Sequence, residues 1–181
     1  IEKAEQIAES REGERILSQE KQELISQELV WMSGETEDAR ERLKRLSQGL
    51  SHTDDVAAIA DAYLLLADIF MDNGEYADAV AVLEDALQVS DEKDVRRQLG
   101  ETAYLASQCG EREVYRNSYL GKALESYEIL NQSSHPSYED RLNLALVERA
   151  LGKYESSNAT LRDMLALYPE EYILPMWMCY N

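Results

Sequence analysis

Proline and glycine are both scarce, three and eight in 181 residues, so few positions interrupt a helix or free the backbone for open loops. Cysteine is nearly absent. Cys109 and Cys179 have neither the spacing of a metal knuckle nor the number that a disulfide framework needs, which leads us to expect a reducing, cytoplasmic setting. Histidine is limited to His52 and His135, both in expected turns and without a second ligand at metal spacing, so no cofactor or metal is expected. The longest apolar run, "ILPMWMCY" at 173–180, is too short to span a bilayer, and no basic start with an apolar core marks a signal peptide. The chain opens on Ile1 and closes just after that run, so we expect a piece of a longer protein. Basic residues are also few, 18 against 36 acidic ones, giving a formal net charge of -18. Such a field repels nucleic-acid phosphates and anionic membrane surfaces and attracts a basic peptide or protein, although acidity also serves solubility alone.

What is plentiful is helix-forming: alanine, leucine, glutamate and arginine, with apolar residues recurring every three or four positions. Examples are Tyr63, Leu66, Ala67 and Phe70, then Val80, Leu83, Ala86 and Leu87. Polar caps such as Thr53, Asp91 and Ser137 stand where helices are expected to begin. The pattern predicts about eight helices joined by short turns. Glycine turns at Gly34, Gly74, Gly110 and Gly152 alternate with polar or proline turns. A small or large residue then recurs at fixed offsets from each glycine. Ala39, Ala79, Tyr115 and Ser157 follow it by five; Leu43, Leu83, Tyr119 and Leu161 by nine; Gln27, Ala67, Ala103 and Ala145 precede it by seven. This is the signature of a repeated helix-turn-helix unit in which small residues admit close helix approach.

The stretch "AYLLLADIFMDNGEYADAVAVLEDALQVS" resembles a tetratricopeptide repeat, with Tyr63, Leu66, Ala67, Phe70, Gly74, Tyr76, Ala79, Leu83 and Ala86 on signature positions. The unit around Gly152 agrees at Leu144, Ala145, Tyr154, Leu161 and Pro169 but departs at Arg141 and Glu148, where bulky apolar residues are usual. After Gly110 the extra length implies an extended second helix. The resemblance implies an all-α fold, an alpha-alpha superhelix of antiparallel helix pairs built from degenerate repeats. Residues 1–50 would form a divergent N-terminal unit, 51–90, 91–136 and 137–169 three repeats, and 170–181 the start of a further helix. A second resemblance concerns the setting, since "MLALYPEEYILPMW" looks like the end of tetratricopeptide tails that follow the catalytic domain in some bacterial serine/threonine kinases. No glycine-rich phosphate loop, HRD-type loop or DFG motif occurs here, so catalysis by this chain is not expected.

Several candidate sites dissolve on inspection. A calcium loop at Asp72 fails because Gly74 follows by two residues rather than five. Cys109 lies at a helix end beside Glu111, where dipole and charge both disfavour a thiolate. Asp61, Asp68 and Asp72 share one helix face, which by itself reads as a solvated surface or as a binding surface. The family resemblance implies a peptide groove lined by Asp61, Leu64, Asp68, Asp72, Glu101, Tyr104 and Asn143. Some relatives clamp a C-terminal carboxylate with Asn and Lys; here Asn143 is present and the lysines are replaced, so that mode is rejected. Trp177 and Met178 begin a unit that has no following helix to cover it, which marks a continuation or an interface of unknown oligomeric state. The expected function is a protein or peptide docking scaffold, with a regulatory region of a larger enzyme or a structural module as the alternatives.

Overall fold

The computed structural model describes residues 56–109, 113–171 and 173–179, and residue 41. The expected unit at 1–50 (residue 41 apart), with Gly34, and the features at His52, Thr53 and Gly110 lie outside the described residues. Seven described helices follow the breaks in the sequence: α1 (Val56–Asp72), α2 (Tyr76–Val89), α3 (Lys93–Cys109), α4 (Glu113–Asn131), α5 (Tyr138–Ala150), α6 (Tyr154–Leu167) and α7 (Ile173–Cys179). No strand occurs among the described residues. Consecutive helices pack on one another, while α1 also touches α3 and α3 touches α5. The odd-numbered helices α1, α3 and α5 therefore stand side by side as one layer, and α2, α4 and α6 back them.

The glycine turns are built alike. At the end of α1 the Glu75 amide donates to the Phe70 carbonyl at 2.8 Å and the Gly74 amide to Met71 at 2.9 Å; after α5, Lys153 donates to Glu148 at 2.8 Å and Gly152 to Arg149 at 2.9 Å. Both glycines hold φ at 76°, the left-handed conformation that satisfies the last carbonyls and turns the chain back. The second kind of break is capped by a side chain: Ser137 takes a 3.0 Å hydrogen bond from the Asp140 amide at the start of α5.

The offsets from the glycines explain the packing. Ala67, Ala103 and Ala145 are all buried, as are Ala79 and Ser157 five residues after the turns and Leu83 and Leu161 nine after. Small side chains at these levels let paired helices approach, and each leucine fills the space between pairs at about 1.5–3 kcal/mol of burial. The main core joins α1 through α5, and a second core gathers Ala145, Leu161, Met164 and Leu174 from α5, α6 and α7. Tyr115 departs from the offset pattern, being 54% exposed near the start of α4, and α4 is the longest of the described helices at 19 residues against 14 for α2 and α6. The irregular Glu148 is buried, yet its carboxylate accepts hydrogen bonds from Ser156 and, at 3.2 Å, from Thr160 on α6. A polar pair across the hairpin thus replaces the usual apolar contact, and the acid is not left unsatisfied.

Candidate functional site

The layer formed by α1, α3 and α5 carries most of the residues expected in the groove. On α1, Asp61 and Asp72 are exposed and Asp68 is half-buried. The Gln98 side chain of α3 donates to Asp68 and reaches the Leu64 carbonyl at 3.5 Å, so it ties the acidic face of α1 to its neighbour. Burial first, then the charge of Asp72 and more weakly that of Glu101, holds the Asp68 carboxyl above its ordinary range, while the bond from Gln98 works in the opposite direction. Asp72 and Glu101 thus each act on Asp68 with like charge, and no cation pairs with any of the three among the described residues. Leu64 is half-buried and packs against the core, which makes it a brace for this face.

Between α3 and α5 a cleft of about 420 Å³ opens, lined by Arg97, Glu101, Tyr104, Leu105, Tyr127, Glu139, Asn143, Leu146 and Val147. The expected residues Glu101, Tyr104 and Asn143 meet here; Asp61 is brought to neither the cleft nor the acidic cluster. Asn143 donates from Nδ2 to the Tyr127 hydroxyl at 3.1 Å. Tyr127 is fully buried, and burial followed by the nearby charge of Glu101 pushes its hydroxyl well above the ordinary phenol value. It therefore stays neutral. Arg97 contributes little free positive charge to the cleft. Its guanidinium grips Asp140 at 2.8 and 3.0 Å and reaches Asp94 at 2.7 Å, and this pairing holds the buried Asp140 carboxyl below its usual range. Asn131 adds a bond to the Asp140 carbonyl at 3.1 Å, so α3, α4 and α5 are joined beneath the cleft. Glu101 and Glu139 remain without a cation among the described residues.

Tyr127, Gln98, Arg97 and Glu139 were not among the expected site residues. Two signals were available: Gln98 and Arg97 precede Glu101 by three and four positions and so share its side of α3, and Gly100 sits mid-helix, where glycine is costly without a packing reason. That reason is Tyr127, whose ring lies against Gly100. At the other end, Trp177 and Met178 are half-buried against the second core. Arg149 donates to the Trp177 carbonyl at 2.9 Å and its guanidinium stands 5.5 Å from the indole ring. The large apolar residues of α7 that stay in solvent are Ile173 and Met176. No group of His, Cys, Asp and Glu among the described residues is arranged to hold a metal, and no described helix is long and apolar enough to cross a membrane.

The family model of the tetratricopeptide repeat matches residues 59–90, the two helices around Gly74. This segment is a tetratricopeptide repeat. The array as a whole has the fold of tetratricopeptide proteins of known structure. It is similar to TTC0263, a thermophilic tetratricopeptide protein of Thermus thermophilus, with a TM-score of 0.56 and 18% identity over 82% of this chain and 74% of that one. The repeats of a Podospora anserina protein described as a putative kinesin light chain give a TM-score of 0.60 at 19% identity, covering 84% and 76%. The apo form of RapI gives 0.53 at 16% identity, covering 93% of this chain and 63% of RapI. No curated protein matches the chain in sequence. The tetratricopeptide architecture is a general interaction scaffold that offers an extended surface.

Proposed function

We propose that the chain is a non-catalytic docking module whose α1, α3 and α5 face binds a basic segment of a partner protein. The observation that carries this reading is the packing of α3 beside α1, which sets Asp72 and Glu101 about Asp68 with no cation among them in the described residues, a repulsion that a cationic ligand would relieve. Gln98 fixes Asp68 in that position, so the cluster is organised before a ligand arrives. The apolar cleft beside Glu101 offers depth to the same segment. Interactions between exposed charges are each worth about 0.2–1 kcal/mol, so two reversals together should weaken a basic ligand on the order of tenfold.

Selection of displayed random peptides against the whole chain tests this. Selected sequences should be enriched in lysine and arginine, and the double variant Asp68→Lys with Glu101→Lys should lose them at least tenfold while its circular dichroism is unchanged. Peptides that bind both proteins equally would refute the proposal. Exposed Leu167, Ile173 and Met176 favour a second reading, in which copies of the chain assemble through α7. Light scattering that shows a single species unchanged by Met176→Glu removes it.

A further inference from the structure

The face has two parts of different chemistry that share one residue. Glu101 belongs to the acidic cluster with Asp68 and Asp72 and also lines the cleft between α3 and α5. The cleft walls are chiefly the side chains of Tyr104, Leu105, Leu146 and Val147; of the polar groups at its edge, Asn143 bonds Tyr127, Arg97 is held by Asp140 and Asp94, and Glu101 and Glu139 are exposed to solvent. An apolar side chain entering there displaces water from apolar walls without leaving a buried polar group unpaired. A cation is less well placed there, because the apolar walls would take its hydration water and offer few acceptors in return. The positive charge of a ligand belongs on the other side of Glu101.

We propose that the partner segment carries an apolar side chain that seats in the α3–α5 cleft and a lysine or arginine two residues away that meets Asp68, Asp72 and Glu101. The inference rests on the docking reading and specifies its ligand. Because Glu101 serves both parts, the two side chains must leave the segment on the same side and close together. In an extended chain residues i and i+2 point the same way at roughly 6.5–7 Å, whereas neighbours point to opposite faces. A purely basic segment would use only half of the face, and a purely apolar one would leave the acids to repel one another.

The probes are the pentapeptides Gly-Lys-Gly-Leu-Gly and Gly-Leu-Gly-Lys-Gly, acetylated and amidated, titrated into the ¹⁵N-labelled chain and followed by amide chemical shifts. One order should move the amides of Leu105, Leu146 and Val147 together with those of Asp68 and Asp72. Replacing its leucine with glycine, or its lysine with norleucine, should weaken binding at least fivefold. Leu105→Asn, at a position already exposed and so tolerant of change, should reduce binding of the leucine peptide to that of the glycine one. The proposal is overturned if the norleucine peptide binds as well, if shifts fall elsewhere, if Leu105→Asn changes nothing, or if neither order shifts any amide. Should charge reversal abolish binding of displayed peptides while leucine proves dispensable, the basic groove stands and the cationic–apolar triplet falls.

Discussion

Replacing Gly100 with alanine sets two effects of known size against each other. In the middle of α3 the exchange gains about 1 kcal/mol of helix propensity, because glycine loses more backbone entropy on folding. The new Cβ would, however, stand 2.9 Å from Cε2 and Cζ of Tyr127 and 3.3 Å from Cδ2. That ring is fully buried and its hydroxyl is held by Asn143, so turning it aside toward the cleft that it lines would forfeit that bond and its packing. Overpacking of this kind costs about 1–3 kcal/mol, and a displaced hydroxyl forfeits roughly 1 kcal/mol more of hydrogen bonding. The net expectation is destabilisation by about 1–3 kcal/mol, read as a lower urea midpoint with an unchanged slope. The cause can be isolated. In a Tyr127→Leu background the same alanine meets no ring, so only the propensity gain remains and the exchange becomes neutral or stabilising. A Gly100→Ala variant with a midpoint equal to or above that of the unaltered chain would refute the reasoning, as would an equal cost in both backgrounds.

Gly74→Ala and Gly152→Ala should each cost about 1–2 kcal/mol through the left-handed backbone alone, since nothing lies within 4 Å of either added Cβ; equal losses in urea midpoint check this. Asp140→Asn breaks the grip of Arg97 and should cost about 1.5–3 kcal/mol at neutral pH. Because the folded carboxyl is held below its unfolded value, that stability is fully present above about pH 4 and is lost as pH falls through the folded value. Thermal unfolding should therefore show the gap between the two proteins closing below about pH 4. Asp68→Asn has the opposite sign: the folded carboxyl is raised, so its ionised form disfavours the fold above about pH 4. The variant should melt at the same temperature or slightly higher at pH 7, by less than about 1 kcal/mol for a half-exposed group, and lose that advantage at pH 3, while it binds basic peptides more weakly.

The alternation of turns and the offsets from glycine made the stack legible in the sequence, because both are set within one hairpin. Gly74 and Gly152 must adopt a positive φ, and Ala67, Ala103 and Ala145 must be small wherever two helices meet. Features set between repeats were harder to see. Glu148 looks out of place along α5 until Ser156 and Thr160 of α6 are set beside it. Helical period puts Asp68 and Asp72 on one face, but only the packing of α3 beside α1 brings Gln98 and Glu101 to Asp68. Tyr127 comes from the backing layer and reaches the cleft through the gap left by Gly100, a route that the periodicity of no single helix could reveal. At α7 the period identifies an apolar helix, and the cation of Arg149 decides that Trp177 turns inward.

The placement of the few cations sharpens the meaning of the net charge. With 36 acids against 18 basic residues, an even scatter would pair about half of the acids and leave the remainder dilute over the surface. Near the groove the pairing is uneven. Arg97 takes two carboxylates, Asp94 and Asp140, and Lys122 is paired with Glu84 across α2 and α4. Gln98, a neutral donor one position from Arg97, is what Asp68 receives. A cation at position 98 would have stabilised Asp68 and filled the place a basic ligand is proposed to take. Gln98→Lys therefore separates solubility from binding. If the acidic face serves only solvation, the variant gains stability with no other effect; if it is a binding surface, the same added charge competes with the partner and affinity for basic peptides falls.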